Sequence, residues 1–137
     1  FWLRRIGYKS YFSGIGRNNR CFAELNDLLT KTVDKAHTET GKKVHLIGHS
    51  LGGLLARAIA VTAPEKVASV ITLGSPIRGV RSHPFAIKQG DKIRAEIQKN
   101  QKEENPDCYT AFCQCESVRA MRQFVPDGVR QSAIYTE

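Results

Sequence analysis

Long apolar runs are missing from this 137-residue sequence, and their absence predicts that no segment of it crosses a membrane. The longest apolar stretches are interrupted by a charge or a glycine after a few residues, whereas a membrane-spanning helix needs about 20. A basic segment followed by an apolar one is also missing behind Phe1, so no signal peptide is visible. The cellular compartment therefore stays open, with secretion or the cell envelope as candidates, and so does the oligomeric state.

Acidic residues are few relative to basic ones, with 13 Asp and Glu against 21 Lys and Arg and a net charge of +8. The basic residues are spread through every segment, and no nucleic-acid-binding motif accompanies them. This distribution favours a solvated basic surface over a nucleic-acid partner. Peripheral contact with an anionic lipid surface is a weaker hypothesis that the charge allows.

Cysteines are also few, and three of the four lie close together in sequence. Cys21 stands alone, whereas Cys108, Cys113 and Cys115 form a C-x4-C-x-C cluster in a predicted loop. The cluster is compatible with one disulfide, such as Cys108 with Cys113 or Cys115, or with free thiols. A zinc site is disfavoured because the spacing is not C-x2-C and no histidine is close. We therefore expect neither a metal nor a cofactor.

The first half of the chain alternates predicted helices and strands. A short helix at residues 2–6 is followed by strand-like alternation at residues 8–12. A polar loop at residues 17–20 ends in a residue of good N-cap type, and a long amphipathic helix then runs to Gly41. The composition, 41% hydrophobic and 25% charged, suits one globular domain.

Two further strands and the helix between them predict a parallel sheet. Apolar runs at residues 44–47 and 67–73 are typical of buried strands, and residues 51–63 have helical periodicity that ends at Pro64. These spacings predict βαβ crossovers and a parallel sheet covered by helices on both faces. The predicted fold class is therefore α/β.

The character of the chain changes between residues 77 and 125. This stretch is charged and helix-prone, contains the cysteine cluster, and ends in a short predicted helix at 118–124. We interpret it as a cap or lid insertion above the carboxyl ends of the strands. A turn at residues 126–128 and a last strand at 132–136 follow it.

The turn between the strand at 44–47 and the next helix carries the chemistry, with the sequence Gly48-His49-Ser50-Leu51-Gly52. A bare Gly-x-Ser-x-Gly occurs by chance in roughly one chain in thirty of this length, so the strand before it and the helix after it carry the prediction. Ser50 is the predicted nucleophile, and the Leu51 N–H is the predicted oxyanion donor. Gly48 and Gly52 are the predicted elbow glycines, where a Cβ would collide with the adjoining strand and helix. The alternative is a glycine-rich turn with an incidental serine.

The block from Val44 to Gly79 resembles the nucleophile-elbow region of the α/β-hydrolase superfamily, in its lipase and esterase branch. Residues 3–8, the cysteine cluster and the Ala133–Thr136 strand resemble a bacterial lipase-like group of that branch. The resemblance covers nearly the whole chain. It implies that residues 1–137 form a partial α/β-hydrolase domain with the cap at 77–125.

The resemblance implies hydrolysis of a carboxylic ester, from a lipid or a small molecule, through an acyl-enzyme at Ser50. It places the oxyanion loop upstream of Phe1, the catalytic acid about two positions after Glu137, and the catalytic histidine later still. The chain would then be a truncated part of the enzyme with one of three triad members. The family also has an upstream strand between the strand at 8–12 and the one ending at Ser50, so both would lack that neighbour here.

Other residues fit the missing roles less well, and two other functions stay open. The expected positions are packing beside the turn for His49, the sheet for His45, a helix surface for His37 and a turn for Asp127. The residual candidates for base and acid are His83, in the cap, and Glu137. The alternatives to an esterase are a catalytically inactive binding module and an acyltransferase or thioesterase that uses the same serine.

Overall fold

The computed structural model describes residues 2–16, 20–77, 84–100 and 115–134. Apart from the strand predicted at residues 8–12, its helices and strands follow the predicted order with small shifts of their ends. They are α1 (Trp2–Arg5), α2 (Phe22–Thr40), β1 (Val44–His49), α3 (Leu51–Thr62), β2 (Val67–Leu73), α4 (Pro84–Asn100), α5 (Glu116–Arg122) and β3 (Arg130–Ile134). None of the helices in these ranges is long and apolar enough to cross a membrane.

The three strands form a parallel sheet in the order β1-β2-β3, which confirms the predicted fold class. Ile47 pairs with Ile71, and Leu73 pairs with Ile134, so the carboxyl ends of all three strands lie at one edge of the sheet. This edge is where α/β proteins bind ligands. The last strand begins two residues earlier than predicted, at Arg130.

The hydrophobic core lies between the sheet and helices α2, α3 and α5. One cluster joins Leu46 of β1 and Val70 of β2 to Ile59 of α3. A second joins Phe22 of α2 and Leu55 of α3 to α5. Fully burying a side chain of this size contributes about 1.5–3 kcal/mol, so these clusters fix the helix that follows Ser50 against the sheet.

The described helices cover the sheet on one face. Leu46 and Gly48 of β1 are buried, whereas His45, Ile47 and His49 between and after them are exposed. Successive side chains of a strand point to opposite faces, so the exposed set lies on the other face. The prediction of a sheet covered on both faces is therefore met on one face only by the residues that the structure describes.

The strand predicted at residues 8–12 is not formed. The segment is an irregular chain without ladder pairing to any described strand, and side chains attach it to α2 instead. Lys9 Nζ lies 2.7 Å from Glu39 Oε2, and the Tyr11 hydroxyl donates to the same oxygen at 2.7 Å. An alternating sequence becomes a strand only where a neighbour accepts its backbone hydrogen bonds.

The ends of α2 agree with the sequence at one terminus and differ at the other. Gly41 has a φ of 62°, and its N–H donates to His37 O, as predicted for a helix-ending glycine. The N-cap, however, is Cys21, whose side chain makes no capping hydrogen bond. The prediction of a polar N-cap from the loop at 17–20 is therefore wrong.

Helix α5 lies inside the range 77–125 that was predicted as a cap, yet it packs in the core. Its Val118 and Ala120 are buried in the second cluster. Buried Arg57 of α3 donates to backbone carbonyls at its carboxyl end, at 3.0 Å to Gln123 O and 3.5 Å to Met121 O. Cationic donors stabilise a helix at this end. Helix α4 differs, because its described side chains are exposed except for Ile97.

Candidate active site

Ser50 lies between the end of β1 and the start of α3, and its backbone is strained. Its φ is 52° and its ψ is −120°, and it is the one non-glycine residue with positive φ in the described part of the chain. Such a conformation costs about 1–3 kcal/mol and persists only where neighbours hold it. The Ser50 N–H donates to Leu73 O at 2.9 Å, and Ser50 O accepts from the Gly53 N–H at 3.1 Å. The residue is exposed, at the sheet edge where the strands end.

Two glycines near Ser50 are crowded, and only one of them belongs to the predicted pair. A Cβ on Gly48 would overlap the carbonyl of Gly52 and lie 2.5 Å from Gly53 N, so the predicted collision occurs there. A Cβ on Gly52 would meet no described atom within 4 Å, and the predicted collision at Gly52 is wrong. The crowded position is Gly53, where a Cβ would overlap Ser75 Oγ. The sequence feature that could have pointed to Gly53 is the Gly52-Gly53 doublet.

Leu51, the predicted oxyanion donor, is the first residue of α3. The first N–H groups of a helix have no intrahelical acceptor, and the helix dipole makes this end favourable for negative charge. The position therefore suits an N–H that stabilises an oxyanion beside Ser50.

The histidines that the structure describes are not paired with Ser50. His37 Nδ1 lies 2.9 Å from Lys42 O, and His45 Nδ1 lies 2.8 Å from Ser69 Oγ across β1 and β2. His49 is exposed and belongs to the face of β1 that α3 leaves uncovered. Within the described part of the chain, no histidine forms a hydrogen bond with the Ser50 hydroxyl. Asp127 is exposed in the predicted turn, which the bond from Val129 N–H to Pro126 O closes. The residual candidates His83 and Glu137 lie outside the described residues.

A cavity of about 240 Å³ lies at the end of β1 and the first turns of α3, the two elements that flank Ser50. It is lined by Gly48, His49 and Gly52 next to the serine and by apolar side chains farther away, among them Ile15 and Leu55. Within the described residues β1 is hydrogen-bonded to β2 alone. A further strand could therefore pair with the other edge of β1.

Cys21, which the sequence interpretation left without a partner, is a disulfide cysteine. The residue is buried. Cys108 and Cys113 lie outside the described residues, so the predicted pairing of Cys108 with Cys113 or Cys115 stays a prediction. Among the residues that are described, no group of three or more His, Cys, Asp or Glu side chains is arranged to hold a metal ion.

The β1–α3–β2 unit with a positive-φ serine at its first junction defines the class: the chain carries part of an α/β-hydrolase fold. Residues 9–127 match the family model described as palmitoyl protein thioesterase. The match spans well over half of the sequence, and the chain belongs to this family. The predicted resemblance to the lipase and esterase branch is confirmed.

Curated relatives are triacylglycerol lipases that are longer than this chain. The lipase of Pseudarthrobacter phenanthrenivorans is 41% identical over 73 residues, which cover 53% of this chain and 21% of the relative. The lipase of Burkholderia plantarii is 41% identical over 73 residues, which cover 53% of this chain and 18% of the relative. The lipase of Pseudomonas fragi is 36% identical over 95 residues, which cover 58% of this chain and 32% of the relative. The chain thus spans between 18% and 32% of the length of these relatives.

Proposed function

We propose that this chain is part of a serine hydrolase that cleaves acyl esters of lipids through an acyl-enzyme at Ser50. The observation that carries the proposal is the strained, exposed backbone of Ser50 at the β1–α3 junction. Strain of this kind is retained at functional sites and has no value for an incidental serine in a turn. The names of the curated relatives, triacylglycerol lipases, support an ester of a fatty acyl chain.

In the proposed reaction, Ser50 Oγ attacks the acyl carbonyl and loses its proton to a histidine base. The Leu51 N–H and a second amide stabilise the tetrahedral oxyanion, the alcohol leaves, and water that the same base activates releases the fatty acid. β3 ends at the same sheet edge as Ser50, since Gly74 N–H donates to Ile134 O and Ser50 N–H donates to Leu73 O. This register supports a catalytic acid shortly after Glu137, with the histidine later.

A fluorophosphonate probe tests the serine directly. We expect it to label the full-length protein at Ser50, and Ser50→Ala to abolish both the labelling and the hydrolysis of p-nitrophenyl palmitate. Intact-mass and peptide mass spectrometry identify the labelled residue. Labelling that persists in Ser50→Ala would falsify the assignment, and a full-length protein that neither labels nor hydrolyses esters is the inactive binding module.

Thioester cleavage is the second candidate, favoured by the match to a palmitoyl protein thioesterase family model. Both reactions pass through the same acyl-enzyme, so the leaving group decides between them. Rates measured on one preparation with a palmitoyl oxygen ester and a palmitoyl thioester distinguish the two candidate functions. We expect the oxygen ester to have the larger kcat/KM; the reverse order assigns the protein as a thioesterase.

We further propose a cap over the site and an oxidising compartment. The cap would lie within residues 77–125 and exclude α5, which is part of the core. The buried disulfide at Cys21 supports secretion or the cell envelope, because such bonds persist in oxidising surroundings. Contact with an anionic lipid surface, and the lack of a nucleic-acid partner, stay predictions from the charge pattern.

A further inference from the structure

Ser75, in the loop after β2, packs directly against the first turn of α3. Its side chain is 4% exposed. A Cβ built on Gly53 would overlap Ser75 Oγ and would lie 2.9 Å from Ser75 Cβ and 3.1 Å from Gly48 O. The end of β1, the start of α3 and the loop after β2 therefore meet at Gly53. A side chain at this position would push one of the three elements away.

Gly53 and Ser75 also take part in the hydrogen bonds around the backbone of Ser50. Leu73 O accepts the Ser50 N–H at 2.9 Å and, in a long hydrogen bond, the Ser75 hydroxyl at 3.5 Å. Ser50 O accepts the Gly53 N–H at 3.1 Å. Ser75 thus contacts both partners, Leu73 and Gly53, that hold Ser50 at its positive φ.

We propose that Ser75 is a positioning residue for the nucleophile: by packing on Gly53 it sets the first turn of α3, and with it the direction of Ser50 Oγ and of the Leu51 N–H. The inference rests on the proposed function of Ser50 and adds the residue that orients it. A displacement of about 1 Å at reacting groups costs about 100-fold in rate. A methyl group at Gly53 would overlap Ser75 Oγ and would also lie within 3.1 Å of Ser75 Cβ and Gly48 O, so the Ser75 side chain or the first turn of α3 must shift to admit it.

A double-mutant cycle in the full-length protein tests this coupling. The variants are Gly53→Ala, Ser75→Gly and the two combined. The measurements are the second-order rate constant for fluorophosphonate labelling of Ser50, kcat and KM for p-nitrophenyl palmitate, and the thermal unfolding midpoint. We expect Gly53→Ala to slow labelling at least about tenfold at a temperature where it is folded, with the loss in kcat rather than KM. Ser75→Gly alone should also slow labelling with the loss in kcat, because the first turn of α3 loses the side chain that packs on it. The double variant should recover most of the rate, because the new methyl group occupies the space that the Ser75 side chain leaves.

Gly128→Ala is the matched control. It makes the same chemical change in a surface turn, where a Cβ meets no described atom within 4 Å, and it should leave labelling within about twofold of the wild type. An effect on Ser50 labelling equal to that of Gly53→Ala would show a general response to added methyl groups and would overturn the inference.

The remaining outcomes of the double-mutant cycle also test the role of Ser75. Wild-type labelling rates in Gly53→Ala, or a double variant no faster than Gly53→Ala, overturn the role of Ser75. If Gly53→Ala does not fold, the double variant must fold and label; its failure to do either overturns the inference. A wild-type protein that is not labelled at Ser50 refutes the proposed function itself, a result distinct from normal labelling without coupling.

Discussion

At the scale of single residues, the two predicted elbow glycines have different surroundings. A Cβ on Gly48 meets backbone atoms of Gly52 and Gly53, which cannot rotate away, whereas a Cβ on Gly52 meets no described atom within 4 Å. We expect Gly48→Ala to lower the free energy of unfolding of the full-length protein by about 2 kcal/mol or more. Gly52→Ala should leave it unchanged or raise it by up to about 1 kcal/mol, since alanine favours the helix.

Urea unfolding of both variants, followed by circular dichroism, measures the difference. Each variant is the other's control, because both add one methyl group two residues from Ser50. Equal destabilisation by the two would contradict the distinction between a crowded and an open position.

At the scale of elements, the segment at residues 8–12 is held to α2 by charge rather than by a ladder. Hydrogen bonds from Lys9 and Tyr11 lower the pKa of the Glu39 carboxyl below its ordinary value of 4.5, and the Glu39 partner raises the pKa of Lys9. Because the pKa of Glu39 is lowered in the folded protein, its carboxylate stabilises the contact between residues 8–12 and α2 above pH 4.5. This stabilisation is lost as the pH falls through the lowered pKa. The raised pKa of Lys9 likewise stabilises the contact up to pH 10.5, and the gain disappears as the pH rises through the raised value.

Removing the Glu39 charge should therefore free this segment at neutral pH. We expect trypsin to cleave after Lys9 several-fold faster in Glu39→Gln than in the wild type, as followed by peptide mass spectrometry under native conditions. Glu65→Gln, an exposed carboxylate away from Lys9, is the control and should cleave at the wild-type rate. Identical cleavage in all three proteins would mean that the ion pair does not hold the segment.

At the scale of the whole molecule, the disulfide at Cys21 ties the residue that precedes α2 to another part of the chain. Because such a bond restricts the unfolded chain, we expect Cys21→Ser to lower the free energy of unfolding by about 2–4 kcal/mol. The unfolding midpoint with and without dithiothreitol measures it: reductant should lower the midpoint of the wild type by more than that of Cys21→Ser. A wild-type midpoint that does not respond to reductant would show that the bond contributes no stability.

The sequence by itself determined the α/β class, the order of helices and strands from α2 to β3, and Ser50 as the candidate nucleophile. These rest on local signals: apolar periodicity, a helix-ending glycine at Gly41, and a Gly-x-Ser-x-Gly turn between a strand and a helix. Only the tertiary structure decided which surfaces meet. It showed that residues 8–12 pair with no described strand, that α5 packs in the core, and that Gly53 rather than Gly52 is crowded, against Ser75. The distance between Gly53 and Ser75 depends on how α3 packs beside β2, and contacts between elements far apart in sequence leave no periodic pattern in either one.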